Sequence, residues 1–248
     1  MMNRRHMLTA GAGVLLCTLS TQTLAAIALD RTRVVVEGGQ KSLSLSVSNE
    51  NKQLPYLAQG WIEDAQGQKI TSPLTVLPPV QRIEPGAKSQ VRIQTLPTVN
   101  TLPQDKETLF YFNLREIPPR TDKPNTLQLA LQTRVKLFYR PKALVTTKSD
   151  APWQEKLTLT RNGNGYQVNN PTPYYVTLVD GTSRPGGKSA SGFKPLMIAP
   201  RGQAALSAGA GELGNSPVLT YINDYGGRPQ LQFTCSGNTC KASPVKTK

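Results

Sequence analysis

Few residues of this chain have side chains that could carry covalent chemistry. The single histidine, His6, and one of the three cysteines, Cys17, stand within the first 25 residues. If those residues are removed, no histidine remains, which excludes a Ser-His-Asp or Cys-His relay and the usual histidine-containing zinc sites. The remaining thiols, Cys235 and Cys240, are five positions apart. In an exported protein this spacing predicts a disulfide that closes a small loop.

Three further segments come close to catalytic or ligand-binding motifs but lack a required feature. Residues 182–189 read Thr-Ser-Arg-Pro-Gly-Gly-Lys-Ser, so Thr182 replaces the first glycine of a phosphate-binding loop. Residues 163–165, Gly-Asn-Gly, lack the third glycine of a dinucleotide-binding turn. Glu63 and Asp64 are adjacent and would point to opposite faces of a strand, which prevents them from acting as an acid and base pair. The sequence therefore predicts no enzyme, no cofactor and no metal site.

The first 25 residues have the order of a bacterial export signal. Arg4 and Arg5 form a basic start, an apolar stretch runs from Gly11 to Leu19, and Ala25 ends a segment of small residues. We predict cleavage after Ala25 and a periplasmic location for the remainder.

Two other interpretations of this leader are weaker. The arginine pair would also fit twin-arginine export, and Cys17 would fit a lipid-attachment site. Leu16, however, stands where a lipoprotein signal has a small side chain. The apolar stretch is shorter than the ~20 residues that a membrane helix needs, and no later segment comes closer, so we expect no stable membrane insertion.

The predicted mature chain, 223 residues after removal of 25 from 248, has a large excess of positive charge. The whole chain has a formal charge of +14, and loss of Arg4 and Arg5 leaves +12. Because the basic residues are dispersed and the predicted location is extracytoplasmic, we expect acidic partners or terminal carboxylates and no nucleic acid. The 20 prolines and 20 glycines favour turns over long helices, which predicts an all-β fold.

Short runs of alternating apolar and polar residues recur in two series, bounded by Gly, Pro, Asn or Asp. They predict about seven strands before residue 141, a linker at 140–143 and a second β-sandwich after it. We therefore predict a leader over 1–25, an N-terminal domain over 26–143 and a C-terminal domain over 144–248. The runs are 31–36, 43–47, 56–62, 91–94, 109–114 and 127–137, then 157–160, 166–169, 174–179, 196–198, 204–206, 219–223 and 231–235.

The run from Leu127 to Leu137 keeps a period of two for eleven residues. Its odd positions are Leu, Leu, Leu, Thr, Val and Leu, and its even positions are Gln, Ala, Gln, Arg and Lys. From the pattern alone this is an ordinary half-buried sandwich strand. At the edge of a sheet, however, the same apolar row would form a surface that receives another strand.

Seven segments together resemble the periplasmic pilus chaperones of chaperone–usher systems, and the resemblance covers essentially all of the chain after residue 25. It implies two immunoglobulin-like β-sandwich domains in a boomerang arrangement. The segments are Leu-Asp-Arg-Thr-Arg (29–33), Asn-Lys-Gln-Leu-Pro (51–55), Pro-Pro-Val-Gln-Arg (78–82), Phe-Tyr-Phe-Asn-Leu-Arg-Glu-Ile-Pro-Pro (110–119), Lys-Leu-Phe-Tyr-Arg-Pro (136–141), Asn-Pro-Thr-Pro-Tyr (170–174) and Tyr-Ile-Asn-Asp-Tyr-Gly (221–226).

The resemblance implies a chaperone that binds, stabilises and caps pilus subunits, both pilins and adhesin, and delivers them to the outer-membrane usher. By motif, Arg33 and Lys136 anchor the C-terminal carboxylate of the subunit, a role for which an Arg fork and a Lys ammonium are suited. Leu127, Leu129 and Leu131 match the donor residues that fill a groove where the subunit lacks its own last strand.

Other positions match further parts of the family pattern. Glu107, Arg140 and Asp224 match an ion network between the domains. Pro55, Ile117 and Pro119 match positions that face the usher. The stretch from Leu114 to Leu127 is short, like that of the chaperones that serve rod-shaped pili.

A pilus subunit, or an adhesin with two β-sandwiches, is the main alternative. A subunit would be one sandwich missing a strand and preceded by an alternating extension, whereas here both halves carry complete strand sets. A generic two-domain binding module would have no need of Arg33 together with Lys136. The sequence leaves open which pilus is served, which subunits are preferred, and whether the free protein covers its edge in a self-capping homodimer.

Overall fold

The computed structural model describes residues 25–122, 124–147 and 149–245, and the chain folds as two β-domains with separate cores. Apart from Ala25, the predicted leader at 1–25 lies outside the described residues and stays a prediction. None of the helices in the described ranges is long and apolar enough to cross a membrane.

The N-terminal domain is a sandwich of a four-stranded and a six-stranded sheet. The strand order is β1-β3-β8-β6 in the first sheet and β2-β10-β9-β4-β5 in the second, where β7 also pairs with β4. The strands are β1 (Ile27–Leu29), β2 (Arg33–Glu37), β3 (Ser42–Asn49), β4 (Tyr56–Glu63), β5 (Lys69–Ile70), β6 (Leu74–Leu77), β7 (Val80–Ile83), β8 (Lys88–Thr95), β9 (Thr108–Ile117) and β10 (Gln132–Arg140), with a 3-10 helix at Pro97–Thr101.

Because successive side chains point to opposite faces of a strand, one row of side chains from each sheet points into a shared core. Leu45 from β3, Ile93 from β8 and Phe112 from β9 are fully enclosed there. Burial of a side chain of this size stabilises the fold by roughly 1.5–3 kcal/mol. The opposite row of the second sheet, which includes Arg33 and Lys136, faces away from this core and carries the polar residues of interest.

The chain changes sheets between β1 and β2. β1 pairs antiparallel with β3, whereas β2 pairs in parallel with β10, from Arg33 opposite Lys136 to Glu37 opposite Arg140. Upstream of Lys136, β10 pairs only with β9 among the described residues, so its opposite side has no partner strand there. Residues 132–135 therefore present an open edge.

The predicted strand over Leu127–Leu137 is wrong at both ends, because the observed strand is Gln132–Arg140. The ladder stops at Gln132 because its partner β9 ends at Ile117, where Pro118 and Pro119 have no N–H to donate. The strand continues to Arg140 because β2 and β9 pair with it on both sides there.

A glycine turn joins β2 to β3 against the linker. The Gly38 N–H donates to the Arg140 carbonyl at 2.7 Å. A Cβ atom at Gly38 would lie 2.4 Å from the backbone nitrogen of Lys142, and Gly39 has a φ of +95°. Only glycine permits this approach of the turn to the short 3-10 helix at Lys142–Leu144.

The C-terminal domain has eight strands in the order β14-β13-β16-β17-β18-β11-β12-β15, wrapped around a second core. They are β11 (Thr158–Asn162), β12 (Gly165–Asn169), β13 (Val176–Thr182), β14 (Leu196–Ile198), β15 (Gln203–Ala205), β16 (Val218–Tyr221), β17 (Gln230–Ser236) and β18 (Thr239–Pro244), with a 3-10 helix at Trp153–Lys156 and α1 at Ala210–Leu213.

A disulfide joins Cys235 to Cys240, which lie opposite each other on β17 and β18. Gly237, with a φ of +60°, forms part of the turn between them. Cys240 is fully buried in the second core.

Replacing Cys235 and Cys240 with alanine should lower the free energy of unfolding of the C-terminal domain by about 2–3 kcal/mol at most, because the bond closes a short loop. Urea unfolding would be followed by fluorescence in two single-tryptophan proteins, since Trp61 lies in the first domain and Trp153 in the second. The transition reported by Trp61 serves as the control and should shift less. Alkylation of two free thiols in native protein would contradict the bond.

Candidate functional site

Arg33 and Lys136 are 103 positions apart in sequence but directly opposite in the parallel pairing of β2 with β10. Val34 and Leu137, which follow them, are buried in the first core. Since successive side chains alternate between faces, Arg33 and Lys136 lie together on the face turned away from that core.

The second domain fixes the Arg33 side chain, which is only 7% exposed. Its Nη1 donates to the Ile222 carbonyl at 3.1 Å and its Nη2 to Thr177 Oγ1 at 3.4 Å. The guanidinium carbon lies 5.5 Å from the centre of the Phe138 ring. Lys136 is partly buried beside it. Arg33 is therefore held between the domains, with Lys136 beside it.

Neither cation has a carboxylate within ion-pair distance in the part of the chain that the structure describes. Burial lowers the pKa of Arg33, partly offset by the charges of Asp224 and Glu107. Burial and the neighbouring Arg33 lower the pKa of Lys136. Each cation thus raises the free energy of the other, and an anion placed between them would relieve both. Such a pair can hold one carboxylate by charge-assisted hydrogen bonds.

The predicted ion network is assembled around Arg140 at the end of β10. Its Nε donates to Glu107 Oε1 at 2.8 Å, and its Nη1 and Nη2 donate to the two Asp224 carboxylate oxygens at 2.8 and 3.2 Å. Glu107 Oε2 also accepts from the Tyr175 N–H at 2.7 Å, and the Glu107 N–H donates to the Pro173 carbonyl. Residues of both domains therefore share this network.

Aromatic rings complete the surroundings of Arg140. Its guanidinium carbon lies 4.8 Å from the ring centre of Trp153 and 5.1 Å from that of Tyr174. Burial would lower the pKa of Arg140, but the hydrogen bonds and charges of Asp224 and Glu107 outweigh it and raise the pKa. The cation is thus fixed by two carboxylates and two rings at the domain junction.

The three predicted donor leucines lie upstream of the open edge and outside the ladder. Leu127 is 81% exposed, Leu129 63% and Leu131 44%. At ~3.3 Å per residue along an extended chain, Leu131 lies roughly 16 Å from Lys136. This apolar row therefore continues the open edge of β10 away from the two cations.

The predicted usher-facing residues lie at the same end of the first domain as the leucines. Ile117 pairs with Leu57 of β4, and the Pro119 carbonyl accepts from Gln128 Nε2 at 2.6 Å. Pro55, like Ile117 and Pro119, is partly buried, and it adjoins the exposed Leu54.

Sequence reasoning missed the groups that hold these charges in place. Phe138 lies on the polar face of β10 and stacks against Tyr175 of the second domain at 5.5 Å between ring centres. The sequence does contain a signal for this contact, because Phe138 is an aromatic residue at a position where the alternation predicts a polar one. The Tyr175 N–H and the Ile222 carbonyl are backbone groups, which no residue pattern identifies.

Two family descriptions match the chain. Residues 26–145 match "Pili and flagellar-assembly chaperone, PapD N-terminal domain", and residues 152–233 match "Pili assembly chaperone PapD, C-terminal domain". The chain is 50% identical over 235 residues to the probable fimbrial chaperone YfcS of Escherichia coli K12, covering 95% of this chain and 93% of that one. It is 51% identical over 223 residues to the Escherichia coli chaperone protein PapD, covering 90% and 92%.

Solved structures of chaperones are also similar to this chain. The periplasmic chaperone SfaE aligns with a TM-score of 0.68 and 33% identity, over 84% of this chain and all of that one. A structure of the Salmonella enterica SafA pilin in complex with the SafB chaperone aligns with a TM-score of 0.70 and 30% identity, over 86% of this chain and 97% of that chain.

Glu107→Ala should lower the free energy of unfolding by about 3–5 kcal/mol, because it leaves the buried Arg140 with one carboxylate and the Tyr175 N–H without an acceptor. Chemical denaturation measures this change. Asp105→Ala is the matched control, since Asp105 also pairs across the domains, with Arg201 at 2.6 Å, but on the exposed surface. Its midpoint should stay unchanged, and an equal loss in both variants would contradict a special role for burial.

Proposed function

Because the chain belongs to the family of PapD-type pilus-assembly chaperones, it is a non-enzymatic folding and assembly factor, and we propose that its paired cations and open strand edge together hold a pilus subunit. Donor-strand complementation is the mode of binding in this family. The observation that carries the proposal is the juxtaposition of Arg33 and Lys136 where the open edge of β10 ends, with no carboxylate paired to either of them among the described residues.

The anchor sets the register. We propose that the C-terminal carboxylate of the subunit accepts hydrogen bonds from Arg33 and Lys136, which places the preceding residues beside the open edge of β10. Backbone N–H and C=O groups of that edge then pair with the subunit strand, as at any free sheet edge. A fixed end and a ladder together leave one alignment of the two strands.

The exposed leucines supply the apolar part of the contact. Leu127, Leu129 and Leu131 share one side of the extended chain, so they can enter one groove of the subunit together. Their exposure in the free chaperone supports this role, because side chains of the chaperone's own core would be enclosed. Burial of one leucine contributes roughly 1.5–3 kcal/mol.

Further parts of the proposal concern location and other partners. We propose that the protein acts in the periplasm, that residues around Pro55, Ile117 and Pro119 face the outer-membrane usher, and that the free chaperone covers its open edge with a second copy. The SafB chaperone is solved with the SafA pilin, which supports subunits as the partners here. The short connection from Leu114 to Leu127 favours subunits of rod-shaped pili.

Lys136→Ala should abolish subunit capture and leave the chaperone folded, because Lys136 makes no ion pair within the described chain and is only partly buried. Capture is measured by co-purification with a tagged pilus subunit from periplasm. Lys142→Ala is the control, since this exposed lysine lies just beyond β10. Arg33→Ala should also abolish capture, but it removes bonds to the second domain as well. Normal recovery of the complex with Lys136→Ala would refute the anchor.

Leu129→Glu should leave the melting temperature nearly unchanged and abolish subunit capture, because a carboxylate would enter an apolar groove without a partner. Leu137→Ala is the control for a core leucine of β10, and should lower stability by about 2–5 kcal/mol. Leu77→Glu is the control for an added charge at an exposed leucine elsewhere, and should retain capture. Strong destabilisation by Leu129→Glu would contradict the donor role.

A further inference from the structure

Glu116 is a carboxylate in a row of core residues. Along β9 the core-facing side chains are Phe110, Phe112 and Leu114, and Glu116 is the next position in that row. Glu116 is only 6% exposed. A buried carboxylate is costly unless a cation or hydrogen-bond donors accompany it.

This carboxylate contacts the start of β1. The Ile27 N–H donates to Glu116 Oε2 at 2.9 Å, and the bond is buried. Ala26 and Ile27 are themselves buried, with 9% and 3% exposure. The Ala26 carbonyl accepts from the Glu50 N–H at 2.7 Å, so both polar groups of the Ala26–Ile27 peptide are fixed.

No Lys or Arg side chain forms an ion pair with Glu116 within residues 25–122, 124–147 and 149–245. Glu116 is flanked by Ile27 of β1, by Ala58 of β4, and by Leu131 before β10. The charged or titratable groups on β4 and β9 are Tyr56, Glu63 with Arg134, Tyr111, and Arg115 over the Trp61 ring. Beside these strands and β1 lie Asp30 and Arg31, paired with each other, Glu50, Asp64 and Glu107.

We infer that Glu116 is the receptor for the mature N-terminus, and that its missing cation is the α-ammonium of Ala26, created when the leader is removed. A signal-processing endopeptidase adds water across the peptide bond between Ala25 and Ala26. Ala25 keeps the new carboxylate, and Ala26 takes the new amine, which is protonated at neutral pH. The ammonium then lies one residue from the N–H that already contacts Glu116.

This pairing links export to folding. In the unprocessed chain the Ala26 nitrogen is an amide and cannot act as that cation, and Glu116 has no ion-pair partner among the described residues. After cleavage the same carboxylate has a full charge partner in a poorly solvated site, where ion pairing is strongest. The processed protein is therefore more stable than the unprocessed one. Glu116 also connects β1 to the residue that precedes the open edge, because the Glu116 N–H donates to the Leu131 carbonyl at 3.0 Å.

Four proteins, all exported and oxidised, test the inference, and the measurement needs no pilus subunit. Two of them begin at Ala26 and carry either Glu116 or Glu116→Gln. The other two have an added Gly-Ser-Gly extension before Ala26 and carry the same two side chains. Glutamine still accepts from the Ile27 N–H, so the substitution removes the charge and keeps that bond. Glu50→Gln is the control, because Glu50 also adjoins Ala26 but is exposed.

In the processed background, Glu116→Gln should lower Tm at pH 7 by on the order of 5 °C. In the background with the Gly-Ser-Gly extension, which displaces the ammonium, Glu116→Gln should have little effect on Tm. The extension alone should lower the Tm of the Glu116 protein by about as much as Glu116→Gln does in the processed background. Glu50→Gln should leave Tm unchanged. Equal losses from Glu116→Gln in both backgrounds would overturn the inference. If Glu116→Gln fails to fold, the comparison of the two Glu116 proteins decides the question.

The pH dependence gives a second readout. An α-amine has a pKa of about 8 in an unfolded chain, and pairing with Glu116 raises it in the fold. The stabilisation is therefore complete below about pH 8 and is lost as the pH rises through the raised value. No histidine follows residue 25, so no imidazole titrates in this range. The Tm difference between the Glu116 protein and the Glu116→Gln variant should therefore shrink as the pH rises from about 8 to 10.

Intact mass separates the two ways in which the inference can fail. It rests on the proposed export and cleavage after Ala25. A chain that keeps its leader, or starts at another residue, overturns that premise. A chain that starts at Ala26 but shows no coupling between Glu116 and its N-terminus, and no dependence on pH, overturns the ion pair alone.

Discussion

The parallel pairing of β2 with the last five residues of β10 is the constraint on which the rest of the proposed site depends. It brings Arg33 beside Lys136, although 103 positions of sequence separate them. It also ends at Lys136, so the same contact that places the two cations leaves residues 132–135 of β10 without a strand on that side among the described residues. The anchor and the open edge therefore have one structural origin, the change of sheet between β1 and β2.

The junction of the domains is held by charge as well as by apolar packing. Arg140 is nearly inaccessible and has carboxylates from both domains, while Arg33 bonds to a carbonyl and a hydroxyl of the second domain. Bonds of this kind have defined directions, so they fix the angle between domains more narrowly than apolar contact does. The angle matters because Arg33, which bonds to the second domain, is also one half of the proposed anchor.

The sequence predicts the all-β class and many strands well, because alternation is a local property. The run 56–62 matches β4 and 43–47 lies inside β3, whereas β6 and β7 were missed because Pro73, Pro78 and Pro79 interrupt their pattern. The pairing of Arg33 with Lys136 came only from family resemblance, since no spacing rule joins residues on distant parallel strands. The strand at Leu127 was placed too far upstream because a strand needs a partner as well as a pattern, and β9 ends at Ile117.

Apart from the bond between the Glu116 N–H and the Leu131 carbonyl, no backbone hydrogen bond to a strand holds Leu127–Leu131 among the described residues, which has a thermodynamic consequence for any cargo that this row receives. Fixing one backbone residue in a single conformation costs roughly 1–2 kcal/mol of entropy, and residues 127–130 must lose conformational freedom if a strand forms there. This penalty offsets part of the free energy gained by burying the leucines. A complex formed through this row would consequently be weaker than one built on a preformed strand, and it would dissociate more readily. For a carrier that must release its cargo, such reversibility is an advantage.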